Sequence, residues 1–247
     1  MDIKSLEKNW NLLGSEDPMW AILVSSDKKG NKWKPDEFFA SGRAEINELM
    51  DSLTRLGVKL NRSKALDFGC GIGRLTQALA LHFENTIGVD IARSMIDMAN
   101  KFNQFGEKCQ YFLNTQDNLA LFPNDNFDLI YTNIVLQHME PVYSKKYIRE
   151  FIRILKPDGI LVFQIPSEQK KAREAGLKGI VKSILPAVVV DLLRKVRDMG
   201  EPKMEMHPIS QNEIKVFLKE QNARLIHIEP FESAGASWNS YRYYVGK

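Results

Sequence analysis

Two cysteines in 247 residues, Cys70 and Cys109, are too few for a disulfide framework, and both sit in or beside apolar runs. That usage fits a reducing compartment, and the expectation is a cytoplasmic protein. No apolar stretch approaches the roughly 18–20 residues needed to cross a bilayer. The longest, Ile184–Val190, contains Pro186 and ends at Asp191. The first residues lack the apolar core of a secretion signal. Histidine is scarce as well, at four residues, and no Cys/His spacing suits zinc. A net charge of +3 is too small to argue for nucleic acid. A phosphate-cradling GxxxxGK[ST] loop is absent, as are internal repeats and low-complexity tracts.

What is present is concentrated in Ala65-Leu-Asp-Phe-Gly-Cys-Gly-Ile-Gly-Arg74, an apolar strand end that carries an acid and then glycines at 69, 71 and 73. Glycine there allows positive φ and brings the backbone against a ligand with no Cβ between them. The following run, Leu75–Phe83, reads as a helix whose first turn offers free N–H groups. A dinucleotide fingerprint places its third glycine three positions after the second. Here Gly73 comes two positions after Gly71, and Asp67 stands two before Gly69.

Downstream blocks repeat a strand–helix rhythm. Thr86–Ile91 reads as a strand ending in Asp90, a carboxylate suited to a pair of ribose hydroxyls. Ser94-x-x-Asp97 reads as the cap of the next helix. A short strand Cys109–Leu113 leads to the loop Asn114–Asp117, and Phe127–Met139 runs from a fourth strand into a loop. Ile148–Leu155 is then a helix, Lys156–Gly159 a turn, and Ile160–Pro166 a fifth strand. Near the end, Ser210-Gln-Asn-Glu213 is a capping box, followed by strands over Arg224–Glu229 and Trp238–Val245.

The D-x-G-x-G-x-G form and the ordered blocks behind it resemble the class I S-adenosylmethionine (SAM) methyltransferases, over roughly residues 43–166 and more loosely at the C-terminal strands. The resemblance is to the small-molecule type found in quinone, sugar and natural-product pathways. It implies an α/β fold with a doubly wound, seven-stranded, mostly parallel Rossmann-like sheet whose last strand is antiparallel. The implied cofactor is SAM, with S-adenosylhomocysteine (SAH) as product. Gly69, Cys70, Gly71 and Gly73 would form the cofactor loop, with Asp67 near the methionyl ammonium. Asp90 would hold the ribose, and Ile91 and Met95 the adenine. The loop residues Thr115, Gln116 and Asp117 would reach the adenine amino group, and Thr115 departs from the acid usual there. Asn133 would face the methionine end, and Arg43 its carboxylate.

His138, after the fourth strand, is the candidate general base, and His207 a second one. Packing or capping is the alternative for His138. Asn133-Ile-Val-Leu136 lacks the [DN]-P-P-[FYW] motif of nucleobase and glutamine enzymes, and no carboxylate cluster for a metal is present. The acceptor that the resemblance implies is a small or medium-sized molecule methylated on oxygen, with nitrogen or carbon as the alternatives, and no metal is expected. An RNA or protein methyltransferase and a non-catalytic SAM-binding protein are the rivals.

Four regions follow: an aromatic N-terminal flap (1–42), a SAM-binding core (43–166), an insertion (167–207) and a C-terminal return to the core (208–247). The insertion carries nine Lys and Arg against six Asp and Glu, matching the excess of the whole chain. Its apolar residues recur at helical intervals, which suggests a lid of one or two helices, with a membrane-surface helix as the alternative.

Overall fold

The computed structural model describes residues 1–170 and 204–247. Seven strands form one sheet: β1 (Lys64–Phe68), β2 (Asn85–Asp90), β3 (Cys109–Leu113), β4 (Phe127–Thr132), β5 (Leu155–Gln169), β6 (Arg224–Pro230) and β7 (Trp238–Gly246). Their spatial order is β3-β2-β1-β4-β5-β7-β6. The first five run parallel, and β7 lies antiparallel between β5 and β6. This is the doubly wound sheet implied by the sequence. The chain steps outward from β1 to β3 and then crosses back to β4, so the crevice at the carboxyl ends of β1 and β4 is a topological switch point.

Adjacent strand residues point to opposite faces, and the sequence supplies apolar groups to both. Leu66, Ile130, Phe163 and Tyr243 face α6 (Pro141–Ile154) and α7 (Gln211–Glu220), against Ile148, Phe151, Ile214 and Phe217. Ala65, Leu129, Val162 and Tyr244 face α3 (Pro35–Arg55) and α4 (Arg74–Leu79), against Ile46, Leu49, Leu53 and Leu79. Burying each of these larger side chains is worth roughly 1.5–3 kcal/mol. A third cluster of Leu13, Met19, Ala21, Phe38, Ile72, Ala92 and Met95 fastens α1 (Ile3–Glu16) and α2 (Pro18–Ile22) onto the glycine loop and α5 (Arg93–Phe102).

Several boundaries differ from expectation for identifiable reasons. α3 begins at Pro35, inside the region expected as the flap, because proline suits the first turn and Asp36 and Glu37 favour its positive end. Residues 42 and 43 therefore lie inside one helix. Likewise, α4 ends at Leu79 rather than at Phe83. Ser94 does not cap α5: Asp90 Oδ1 accepts from Ala92 N–H at 2.9 Å, and Ser94 Oγ donates to the Asn11 carbonyl at 3.0 Å. α6 opens seven residues early, at Pro141, and β5 already pairs at Leu155 before Lys156–Gly159 loops out. Of the insertion, residues 171–203 lie outside the described residues. Among the described residues no helix is long and apolar enough to cross a membrane.

Half of the expected capping box forms: Ser210 Oγ accepts from Glu213 N–H at 3.2 Å at the start of α7, while the Glu213 carboxylate accepts from Lys145 Nζ at 2.6 Å. Ser210→Ala is expected to cost about 1 kcal/mol of stability. A urea midpoint indistinguishable from wild type would show that this cap contributes nothing.

Candidate active site

Four strand ends converge on one cavity of about 860 Å3 counted out to its mouth. From β1 come Gly69, Cys70 and Gly71; from β2, Asp90 and Ile91; from β3, Asn114; and from β4, Asn133, Ile134 and Val135. α1 adds Leu6 and Trp10, and α2 adds Ile22. The glycine loop is a close-approach site. A Cβ on Gly69 would lie 2.3 Å from Val135 Cγ2, and one on Gly71 would lie 2.4 Å from Ile22 Cδ1. Both glycines have positive φ. The loop thus admits neither an L side chain nor its backbone preference.

Carboxylates surround this loop. Asp90 Oδ2 accepts from Gly71 N–H at 2.8 Å, which ties the tip of β2 to the loop. Burial raises its pKa against the pull of the Ala92, Gly71 and Ile91 N–H groups. Asp67 lies beneath the loop, 1% exposed, and accepts from Thr76 Oγ1 at 2.7 Å. Burial pushes its pKa up to about 7, only partly offset by Thr76 and Arg74. Glu45 on α3 accepts from Arg74 Nη2 at 2.8 Å, Tyr131 Oη at 2.8 Å and Asn133 Nδ2 at 2.7 Å. Burial works against its charge, but Arg74 and the other donors outweigh it and hold the pKa below the usual carboxylate value.

The structure redistributes some expected roles. Gly69, Cys70, Gly71, Asp90, Ile91, Met95, Asn133 and His138 all line the cavity. Gly73 instead caps α4 and packs against the Tyr111 hydroxyl, and Asp67 sits behind the lining. Arg43 is exposed and away from the cavity. The arginine that lines it is Arg74, whose Nη2 donates to Glu45 and whose Nε is buried without a hydrogen-bond partner. Its signal was its place directly after the third glycine. Thr115, Gln116 and Asp117 do not line the cavity. The Gln116 carbonyl accepts from Tyr147 Oη, and Asp117 pairs with Lys146. Asn114 lines it instead, its side chain tying the loop through the Gln116 and Asn118 carbonyls.

His138 Nδ1 lies 2.8 Å from the Glu205 carbonyl, so Nδ1 carries the proton and Nε2 is the acceptor. Gln137 Nε2 donates to that Nε2 at 3.2 Å, and Trp10 packs edge-on against the ring at 5.3 Å. Burial lowers the His138 pKa to about 4, so the ring is neutral at physiological pH. His207 is half-buried and does not line the cavity; its N–H donates to the Gln137 carbonyl at 2.7 Å. Among the described residues no group of three His, Cys, Asp or Glu is placed to hold a metal.

Residues 66–163 match the family model described as "Methyltransferase domain". The chain is 28% identical over 180 residues to the ubiquinone biosynthesis O-methyltransferase of Pseudomonas putida, covering 72% of this chain and 77% of that one. It is 28% identical over 134 residues to the uncharacterized methyltransferase YcgJ of Bacillus subtilis, covering 53% of this chain and about half of that relative, 50%. In fold it is similar to magnesium protoporphyrin IX methyltransferase from Synechocystis PCC 6803, solved with bound SAH. There the TM-score is 0.64 at 14% identity, over 100% of both chains.

The raised pKa of Asp67 has a stability consequence. As pH rises above the unfolded value of 3.8, the unfolded chain releases this proton while the native protein keeps it until about 7. Stability is therefore drawn down across that window and stays level above it. Asp67→Asn is expected to remove this part of the pH dependence, so wild type should lose more thermal stability than the variant between pH 4 and 7. Parallel curves would mean that Asp67 ionises normally.

Proposed function

Because the chain belongs to the class I SAM-dependent methyltransferases, we propose that it transfers the methyl group to an oxygen atom of a small or medium-sized uncharged acceptor. SAM supplies an activated methyl on a sulfonium, so the protein's work is binding, alignment and exclusion of water. The residues fit that cofactor. Gly69, Cys70 and Gly71 offer a backbone surface that no Cβ obstructs. Asp90 offers a carboxylate for the ribose diol, and Ile91 and Met95 offer apolar faces for adenine. The unpartnered Nε of Arg74 suits the methionyl carboxylate, the role first expected of Arg43. Asp67 adds a buried carboxyl behind the loop that a bound cation would help ionise.

The observation that carries the acceptor half of this proposal is the cavity wall formed by α1 and the segment after β4. It consists of Leu6, Trp10, Ile134, Val135 and Met139, and its polar groups are the neutral His138 ring and the Asn133 amide. A charged acceptor would be desolvated there without a counter-charge. His138 Nε2 is held by Gln137 Nε2, so it would accept from a hydroxyl only by exchanging that bond, and with its lowered pKa the ring would not store a proton near neutral pH. The ubiquinone biosynthesis relative, an O-methyltransferase by name, supports oxygen as the atom attacked. The two free, buried cysteines support placement in a reducing, cytoplasmic compartment.

Incubation with methyl-labelled SAM and a panel of phenols, alcohols, amines, bulk RNA and protein tests this reading. Label in an uncharged hydroxyl compound is expected; label confined to RNA, protein or charged amines would contradict it. Cofactor contacts are tested by titration with SAH. Asp90→Ala and Arg74→Lys are each expected to weaken binding about tenfold or more, since each removes a charge-assisted contact. Arg43→Ala should leave it within about twofold. The reverse order for the two arginines would restore the assignment to Arg43.

A further inference from the structure

We propose that Gln164, near the cavity end of β5, is a positioning residue that holds the segment after β4 in a strained backbone conformation and thereby sets the cofactor wall. Ile134 has φ of +54°, in the left-handed region. A β-branched residue is a true outlier there, and such a conformation persists only where its surroundings over-determine it. The hydrogen bond that holds it comes from a side chain: Ile134 N–H donates to Gln164 Oε1 at 2.9 Å. Gln164 is 1% exposed.

The other end of the same amide is also engaged. Gln164 Nε2 donates to Ser240 Oγ on β7 at 2.6 Å and to Gln137 Oε1 at 3.2 Å. Gln137 in turn donates to His138 Nε2. One side chain thus joins β5, β7 and the turn that carries His138. Only an amide offers an acceptor and two donors at a single side-chain end.

The strained turn has a direct consequence at the cavity. Immediately after Ile134, Val135 is delivered onto Gly69, where even a Cβ would not fit. Asn133, immediately before it, is fixed by Glu45 and by Ser233 Oγ, which donates to Asn133 Oδ1 at 2.8 Å. The wall between these anchors depends on Ile134 keeping its left-handed φ, and Gln164 is the group that holds it.

Glycine adopts that φ freely, which makes the proposal testable by rescue. SAH affinity is to be measured for Gln164→Met in the wild-type background and in the Ile134→Gly background. The loss expected from Gln164→Met is about tenfold or more with Ile134 present and within about threefold with Ile134→Gly, a coupling that independent sites do not show. Equal losses in both backgrounds, or no loss in either, would overturn the proposal. If Gln164→Met alone does not fold, the rescue is read on folding. The double variant is then expected to be folded and to bind SAH, and a double variant that also fails to fold overturns the proposal. The inference rests on the cavity being the cofactor site. A wild-type protein that binds no SAH would defeat that reading, whereas wild-type binding with additive losses defeats only this one.

Discussion

The structure depends on how closely other segments press onto the turn after β1. Val135 stands on Gly69 and Ile22 on Gly71, each nearer than a β-carbon permits. Through these two contacts the segment after β4 and the N-terminal helices become walls of one cavity. Asp90 closes a third side by accepting from Gly71 N–H. The sheet supplies the convergence, since the order in which strands are added reverses between β1 and β4 and leaves a crevice at their carboxyl ends. The glycines let that crevice be narrow enough to grip a ligand by its backbone.

Around the turn the electrostatics are unusually uncompensated. Asp67 and Asp90 are both held above their ordinary pKa by burial, while Glu45 is kept ionised by Arg74. Groups whose charge is disfavoured by desolvation gain most from a cation placed nearby. A ligand that carries a sulfonium and an ammonium is of that kind. The cavity wall formed by α1 and the segment after β4 is largely apolar and holds a histidine that stays neutral. This contrast between buried acids and an apolar wall is the chemical content of the cavity.

Much of this was legible in the sequence, and the parts that were not have physical reasons. The glycine loop could be read because a backbone that must approach a ligand tolerates little but glycine, and the succession of elements because strand and helix periods differ, whereas the doubly wound sheet was implied by the family resemblance. Arg43 was misplaced because α3 starts at Pro35, and on that helix Gly42 and Ile46 take the buried face. Arg74 reaches the cavity from the next helix, where Gly42 lets its backbone approach so closely that a Cβ would lie 2.4 Å from the Arg74 carbonyl oxygen. Ser94 looked like a cap because its spacing to Asp97 was right, but α5 already begins at Arg93 and the Ser94 hydroxyl donates to the Asn11 carbonyl. Thr115 was expected at the cavity, but Asn114, one residue earlier and just past the end of β3, lines it. Nothing in the letters around Ile134 announces a left-handed isoleucine, since that φ is imposed by Gln164, thirty residues away.

The most direct measurement is calorimetric titration of the wild-type protein with SAM and SAH, with NADH as control. The account predicts saturable micromolar binding of both adenosyl ligands and none of NADH. Folded protein that binds neither adenosyl ligand would contradict the assignment of the glycine-loop cavity as the cofactor site.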